Sequence, residues 1–308
     1  MKLTRREALR MGALAGASLI PVQRSIAGQT SELIQRTIPS SGETVPVIGL
    51  GARNYRVGDM GAELVPFKNT LKRFVGLGGR VVDTAPGYGN SETVIGNLVS
   101  ELDILDQLFL ASKVNSQGQN EGVTSIDNSF RYLRSRQLDL MQVHNLRDVD
   151  TQLKTLRELK AQGRIRYLGI TTSRDRQYQE MIKILESEIL DFIQVDYALD
   201  NRNAADQILP LAADRGIAVL VNLPFGRGRL FRVVGQRPLP DWAADIDCSS
   251  WAQVFLKYVV SHPAVTCVIP GTTKEHHAVD NQGACRGRLP DAALLQTMED
   301  FIDGLTEG

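Results

Sequence analysis

Leu138-Asp139-Leu140-Met141-Gln142-Val143-His144 is a short, mostly apolar run that ends on an imidazole. A stripe of Leu153, Leu156 and Leu159 follows at helical spacing, then Gly163, then Ile165-Arg166-Tyr167-Leu168-Gly169-Ile170-Thr171. The two outer runs read as strands and the stripe as an amphipathic helix, with Gly163 where that helix should stop. A strand, a crossover helix and a second strand require parallel pairing.

The same unit recurs along the chain. Strands are expected at Val45–Leu50, Arg80–Asp83, Leu108–Lys113, Leu138–His144, Ile165–Thr171, Phe192–Asp196, Ala218–Asn222 and Thr266–Ile269. Between them, Phe67–Leu77, Thr124–Arg134, Gln177–Glu188, Ala204–Arg215 and Ser249–Ser261 carry helical periodicity, and a last helix is expected over Asp291–Leu305. Eight such units in about 250 residues are the size of an α/β (β/α)8 TIM barrel. An open doubly wound sheet is the alternative. It usually announces itself by GxGxxG after the first strand, and Gly49-Leu50-Gly51-Ala52-Arg53 does not fit that spacing. Arg36–Pro39 against Val45–Ile48, turning at Ser40-Ser41-Gly42, reads as an N-terminal hairpin at the barrel bottom. Residues 226–247 are rich in Gly, Pro and Arg, lack periodicity, and read as a long functional loop.

The 308 residues carry 35 basic and 35 acidic side chains, 43% hydrophobic residues and 23% charged ones. That is a globular composition, without the basic excess of a nucleic-acid partner. Residues 1–27 differ. They begin basic, pair Arg5 with Arg6, run apolar from Met11 to Val22 and end Ser25-Ile26-Ala27, which is the grammar of a twin-arginine export signal. The expected organisation is therefore a signal over 1–27 and a barrel over 28–308. The product would be exported to the periplasm by the twin-arginine machinery, with no stable membrane insertion once the signal is removed. Cys248, Cys267 and Cys285 form no CxxC pair, so buried free thiols are expected and a metal site is not.

Asp83, Lys113 and His144 each close an expected strand, about 30 residues apart. In a parallel barrel all such ends open onto one face. Tyr88, five residues past Asp83, can reach the group. A phenol has a pKa of about 10 and an adjacent ammonium lowers it. A carboxylate holding the lysine, and a neutral imidazole orienting a substrate oxygen, would complete a general acid for an oxyanion formed by hydride transfer.

Asp83-Thr84-Ala85-Pro86-Gly87-Tyr88-Gly89-Asn90-Ser91-Glu92 resembles the DTAxxYGxSE signature of the aldo-keto reductases. Ala111-Ser112-Lys113-Val114 and Leu138–Asn145 are similar to the segments carrying that family's lysine and histidine, and the likeness runs from Val45 to about Asn281. It implies a barrel using NADPH, NAD being the less favoured cofactor. It also implies the catalytic set Asp83, Tyr88, Lys113 and His144 and a small-molecule carbonyl substrate.

The resemblance further implies a cofactor site. Gly51, Ala52 and Arg53 follow the first strand. Thr171 keeps a hydroxyl where the family has serine, but Thr172 replaces its asparagine, and Gln194 holds the family's glutamine position. In Val221-Asn222-Leu223-Pro224-Phe225-Gly226, Asn222 stands where a tyrosine often stacks on the nicotinamide, with Pro224 and Gly226 beside it. Gly271, Thr272, Thr273, Lys274, His277 and Asn281 resemble the adenosine-phosphate segment. Lys274 is implied for a 2′-phosphate, His277 stands at an arginine position, and Asn281 faces adenine. Arg227 and Arg229 read either as a cover for the pyrophosphate or as a solvated loop, and Trp242 and Trp251 either as packing or as substrate walls. The little chain after the last helix implies an open site. A cofactor-binding redox sensor or regulatory subunit on the same barrel is the competing reading. A metal-dependent lyase lacks its ligand cluster.

Overall fold

The computed structural model describes residues 32–58 and 64–306. The export signal expected over residues 1–27 lies outside the described residues.

Two short antiparallel strands, β1 (Gln35–Thr37) and β2 (Thr44–Pro46), form the expected hairpin. Eight parallel strands follow: β3 (Leu50–Gly51), β4 (Val81–Asp83), β5 (Phe109–Val114), β6 (Leu138–Val143), β7 (Ile165–Thr171), β8 (Phe192–Asp196), β9 (Ala218–Asn222) and β10 (Val265–Val268). They pair in chain order, and parallel bridges Ile48–Val268 and Gly51–Gly271 join the first to the last. The sheet is a TIM barrel. Helices α1 (Leu64–Gly76), α2 (Ser91–Leu102), α3 (Gln119–Tyr132), α4 (Val149–Ala161), α5 (Tyr178–Ser187) and α6 (Ile208–Asp214) follow β3 to β8 in turn. After β9 come α7 (Arg229–Val234) and α8 (Trp251–Ser261), and after β10 come α9 (Glu275–Gly283) and α10 (Ala292–Thr306).

Two expectations need correction. The run Val45–Leu50 is not one strand. Thr44–Pro46 belongs to the hairpin and the barrel strand begins beyond it, because the chain must turn from the bottom of the barrel into its wall. The segment 226–247 is not an unstructured loop. It holds α7 and two 3-10 turns, Gly226–Gly228 and Asp241–Ile246, too short to print a period on the sequence. Buried Lys257 on α8 ties this segment down by donating to Ile246 O (2.6 Å) and Arg288 O (2.9 Å). Trp251 stacks on Phe255 and Phe301, and Trp242 meets Phe301 edge-on, so both tryptophans serve packing against α10.

Side chains at alternate positions fill the barrel. Its lower part is apolar: Ile38 and Val45 from the hairpin join Val81, Phe109, Leu140, Tyr167, Phe192, Leu220 and Cys267, and Ile269 carries the cluster up to the mouth. Phe109, Tyr167 and Phe192 pack ring against ring at 5.5–5.8 Å. Tyr167 Oη donates to Glu43 Oε2 (2.9 Å) and accepts from the Ser41 hydroxyl (2.7 Å), latching the hairpin over the open end. Above this floor the next inward positions are polar: Asp83, Lys113, Gln142 and Gln194, all buried. The three cysteines are buried free thiols, as expected, and burial pushes Cys248 up to about 11 and Cys285 to about 12. Among the described residues no helix is long and apolar enough to cross a membrane, and no cluster of three metal-ligating side chains occurs.

Candidate active site

Asp83 ends β4 and Lys113 lies near the end of β5, one inward position above Ala111, which pairs with Asp83. The long lysine side chain leans across to its neighbour. Lys113 Nζ donates to Asp83 Oδ1 (2.8 Å), Asp83 Oδ2 (2.7 Å) and Thr84 O (2.8 Å). The two side chains retain only 1% and 4% of their exposure.

Burial disfavours both charges and raises the Asp83 carboxyl, with Lys113 opposing. For Lys113 burial pulls down, but the Asp83 carboxylate and the Tyr88 phenol pull up harder and the net direction is upward. These tendencies oppose each other within one pair. With both carboxylate oxygens within 2.8 Å of the ammonium, the geometry favours the charged pair.

Tyr88 comes from the turn after β4. Its N–H donates to Ala85 O (3.0 Å), and Gly89, at φ +65°, supplies the left-handed residue that brings the chain back. The next three residues fasten the turn to its surroundings. Asn90 Nδ2 donates to Val57 O (2.9 Å) while its Oδ1 accepts from Val57 N (3.3 Å). Ser91 Oγ donates to Ala52 O (2.7 Å) and lies 2.9 Å from Thr84 Oγ1. Buried Glu92 accepts from Ser112 Oγ at 2.6 Å, and burial raises its carboxyl. The tyrosine turn is thus tied to the β3 turn on one side and to β5, next to Lys113, on the other. Lys113 Nζ stands 5.2 Å from the Tyr88 ring centroid.

His144 follows β6 in a 3-10 turn, its ring 5.9 Å from that of Tyr88 and at 88° to it. Burial, and then the charges of Lys113, Arg174 and Arg53, push its pKa down to about 3. The imidazole is neutral near pH 7, and its Nδ1 is buried without a partner among the described residues.

These four side chains line one cavity of about 420 Å³ at the C-terminal mouth of the barrel. Of the remaining residues expected at the site, the same cavity is lined by Gly51, Arg53, Thr171, Thr172, Gln194, Asn222, Pro224 and Gly271. Ala52 is buried behind the wall. Gly226 lies in an adjoining hollow, at φ +54°, where a Cβ would come within 2.4 Å of an Asp200 carboxylate oxygen. Thr272, Thr273, Lys274, His277 and Asn281 do not line the cavity. They sit beyond Gly271 on the β10–α9 turn and the first turns of α9.

Some hydroxyls are already engaged. Thr171 Oγ1 accepts from Asn145 N (3.3 Å), and Thr172 Oγ1 donates to Gln177 Oε1 (2.7 Å). Gln194 Nε2 points down to Asp83 Oδ2 at 3.4 Å. Asn222 Nδ2 donates to Thr172 O (3.2 Å), and Asn222 Oδ1 is buried without a partner among the described residues. Sequence reasoning missed the wall residues Asn54, Asn145, Ser173, Leu223, Phe225, Gly228 and Ile269. Asn145 was marked only by its place directly after an expected strand end, and Phe225 by its place three residues past one.

A family model, "Aldo/keto reductase family", matches residues 47–296. The chain belongs to the aldo/keto reductase family. Among characterised relatives, glyoxal reductase of Bacillus subtilis is 27% identical over 274 residues, covering 87% of this chain and 91% of that protein. Aldo-keto reductase YhdN of the same organism is 28% identical over 176 residues, a match that spans 52% of each chain. A crystal structure of an aldo/keto reductase from Klebsiella pneumoniae in complex with NADP and acetate superposes with a TM-score of 0.71 at 25% identity, covering 85% of this chain and 93% of that one. The chain is thus an oxidoreductase of a family that uses a nicotinamide cofactor on small carbonyl compounds.

The neutral His144 has a measurable consequence. Its ordinary value is 6.5 and its folded value about 3, so between these the unfolded chain binds a proton that the folded chain refuses. Stability should fall as pH drops through 6.5, with the loss complete near 3. Urea unfolding across this range should show a shallower decline for His144→Gln than for the native chain. Equal slopes, or an NMR titration of the His144 imidazole itself near 6.5 in the folded protein, would contradict the burial argument.

Proposed function

We propose that this chain is an exported NADP(H)-dependent reductase of aldehydes or ketones, with Tyr88 as the general acid. The observation that carries the reading is the convergence of Tyr88, the buried Lys113–Asp83 pair and neutral His144 on one cavity wall.

The cavity fits a nicotinamide. Asn222 Oδ1 is a buried acceptor in its wall with no partner of its own, and a carboxamide N–H is a matching donor. Thr171 and Gln194 stand beside it as further polar contacts. Thr272, Thr273 and Lys274 at the start of α9, with exposed His277, support a phosphorylated adenosine end and hence NADP over NAD. Asn281, on the same helix, would meet the adenine. The related Klebsiella protein was crystallised with NADP. When bound, a reduced nicotinamide supplies the hydride that becomes the new C–H bond at the carbonyl carbon.

The chain's own residues handle the oxygen. His144 donates a hydrogen bond that orients the carbonyl and polarises it. As the carbonyl π bond breaks, charge gathers on oxygen, and Tyr88 Oη transfers its proton there to give the alcohol. Charged Lys113 stabilises the phenolate left behind, and Asp83 keeps that ammonium charged and in place. The apolar barrel floor shuts water out from below. Export before cofactor loading would leave the enzyme without nucleotide, so loading in the cytoplasm followed by folded export is part of the proposal.

Tyr88→Phe should lower kcat by about 10²–10⁴-fold, while NADPH still quenches the protein's fluorescence on titration. Nucleotide binding without Tyr88-dependent turnover on any aldehyde, ketone or quinone would favour a redox sensor instead. For export, the native chain should be recovered from the periplasmic fraction with nucleotide bound, and Arg5→Lys/Arg6→Lys should hold it in the cytoplasm. A native chain that stays cytoplasmic would overturn that part of the proposal.

A further inference from the structure

Charge around the cavity is one-sided. The charged side chains in its wall are Asp83, Lys113, Arg53 and Arg227. Asp83 is spent on Lys113. Arg227 lies on the β9 side, in a 3-10 turn, and also lines the adjoining hollow, where it shares the wall with Asp175, Asp196 and Asp200. On the β3 side, away from that hollow, Arg53 makes no ion pair or hydrogen bond with the described residues and is exposed at the mouth, and among the described residues Asp83 is the sole carboxylate in its cavity wall.

The turn that presents Arg53 is rigidly seated. Tyr55 N donates to Ala52 O (2.9 Å), so Arg53 and Asn54 occupy the tip of a tight turn. Both flanks are buried: Ala52 N donates to Asp83 O (2.8 Å), and Tyr55 packs on Phe67 with ring centroids 5.1 Å apart. Ser91, in the tyrosine turn, donates to Ala52 O. One set of bonds therefore fixes the backbone at Arg53 relative to the turn that bears Tyr88. The guanidinium is also close enough for its charge to act on His144 across the mouth. An unpaired cation at the mouth of the cavity that Tyr88 and His144 also line suits the recognition of an anion on the molecule whose carbonyl they grip.

We infer that Arg53 selects the substrate: the favoured class is an aldehyde or ketone that carries a carboxylate or phosphate group, bound by the Arg53 guanidinium while its carbonyl meets Tyr88 and His144. This rests on the reductase reading above and assigns Arg53 to the substrate rather than to the nucleotide. The shared chemistry is a compact oxyanion. A carboxylate and a phosphate differ in size and charge, so each needs its own comparison.

The test uses the full-length native protein with NADPH and pairs of carbonyls matched in shape but not in charge. One pair is 4-carboxybenzaldehyde and 4-formylbenzamide; the other is glyceraldehyde 3-phosphate and glyceraldehyde. The native protein should favour the anionic member in kcat/KM by about 10-fold, in the carboxylate pair, the phosphate pair or both, and the preference should shrink with added salt. Arg53→Met should raise the KM for the favoured anion relative to its neutral partner by a similar factor, with the effect in KM rather than kcat. Arg53→Lys should recover part of it, and the NADPH Kd measured in parallel should move by less than about 2-fold.

Equal efficiency of the native protein on both members of both pairs would overturn the inference and leave the reductase reading standing. So would an Arg53→Met variant that slows charged and neutral substrates alike while weakening NADPH, since Arg53 would then serve the nucleotide. A native protein that reduces none of the four, though it reduces other aldehydes, ketones or quinones with NADPH, would overturn this inference alone; no turnover on any of them would overturn the reductase reading as well.

Discussion

The site depends on one contact, the buried ion pair between Lys113 and Asp83. Moving two charges out of water costs several kcal/mol for each, and the mutual attraction offsets this only when geometry is good and spare donors are satisfied. Both conditions hold: the ammonium meets both carboxylate oxygens and a backbone carbonyl within 2.8 Å. The pair binds β4 to β5 at the mouth of the barrel. It also fixes a positive charge beside a phenol and an imidazole, which is one reason His144 stays neutral. The apolar floor below, closed by the hairpin, keeps water from weakening that charge from underneath.

The turn after β4 shows how a motif serves position as well as chemistry. Tyr88 carries the reactive hydroxyl, yet the three residues following Gly89 do most of the fastening. Asn90 reaches Val57, Ser91 reaches Ala52, and Glu92 reaches Ser112 on the strand that bears Lys113. A tyrosine on an exposed, Gly-rich turn would otherwise lose orientational freedom on meeting substrate, which costs free energy. Here that ordering is already built into the folded chain, and it extends to the β3 turn that holds Arg53.

Much of this was legible in the sequence because barrel strands are buried on both faces. Phe109-Leu110-Ala111 and Phe192-Ile193-Gln194-Val195 read as short apolar runs, and the helix between two such runs settles parallel pairing. Asp83, Lys113 and His144 stood out because each breaks an apolar run at its end, and a parallel barrel gathers those ends. Contacts that spacing does not encode were harder to read. Val45–Leu50 looked like one strand because its hairpin half and its barrel half are equally apolar. The short helix α7 left no period. Asn54, Asn145 and Phe225 reach the cavity from loops whose paths are set by tertiary bonds. Asn222 looked like a departure from the family's stacking tyrosine, but its unpartnered Oδ1 offers an acceptor that only the structure reveals.

Single substitutions at the ion pair would strand a buried charge, at a cost of about 3–5 kcal/mol, and confuse unfolding with loss of function. Asp83→Asn/Lys113→Met removes both charges at once and should fold. The direct measurement is single-turnover hydride transfer by stopped flow on this double variant, with NADPH affinity taken in the same experiment. The expected result is a folded protein that still binds NADPH and transfers hydride at least about 10²-fold more slowly. A folded double variant that transfers hydride at the native rate would contradict the central role given to the pair.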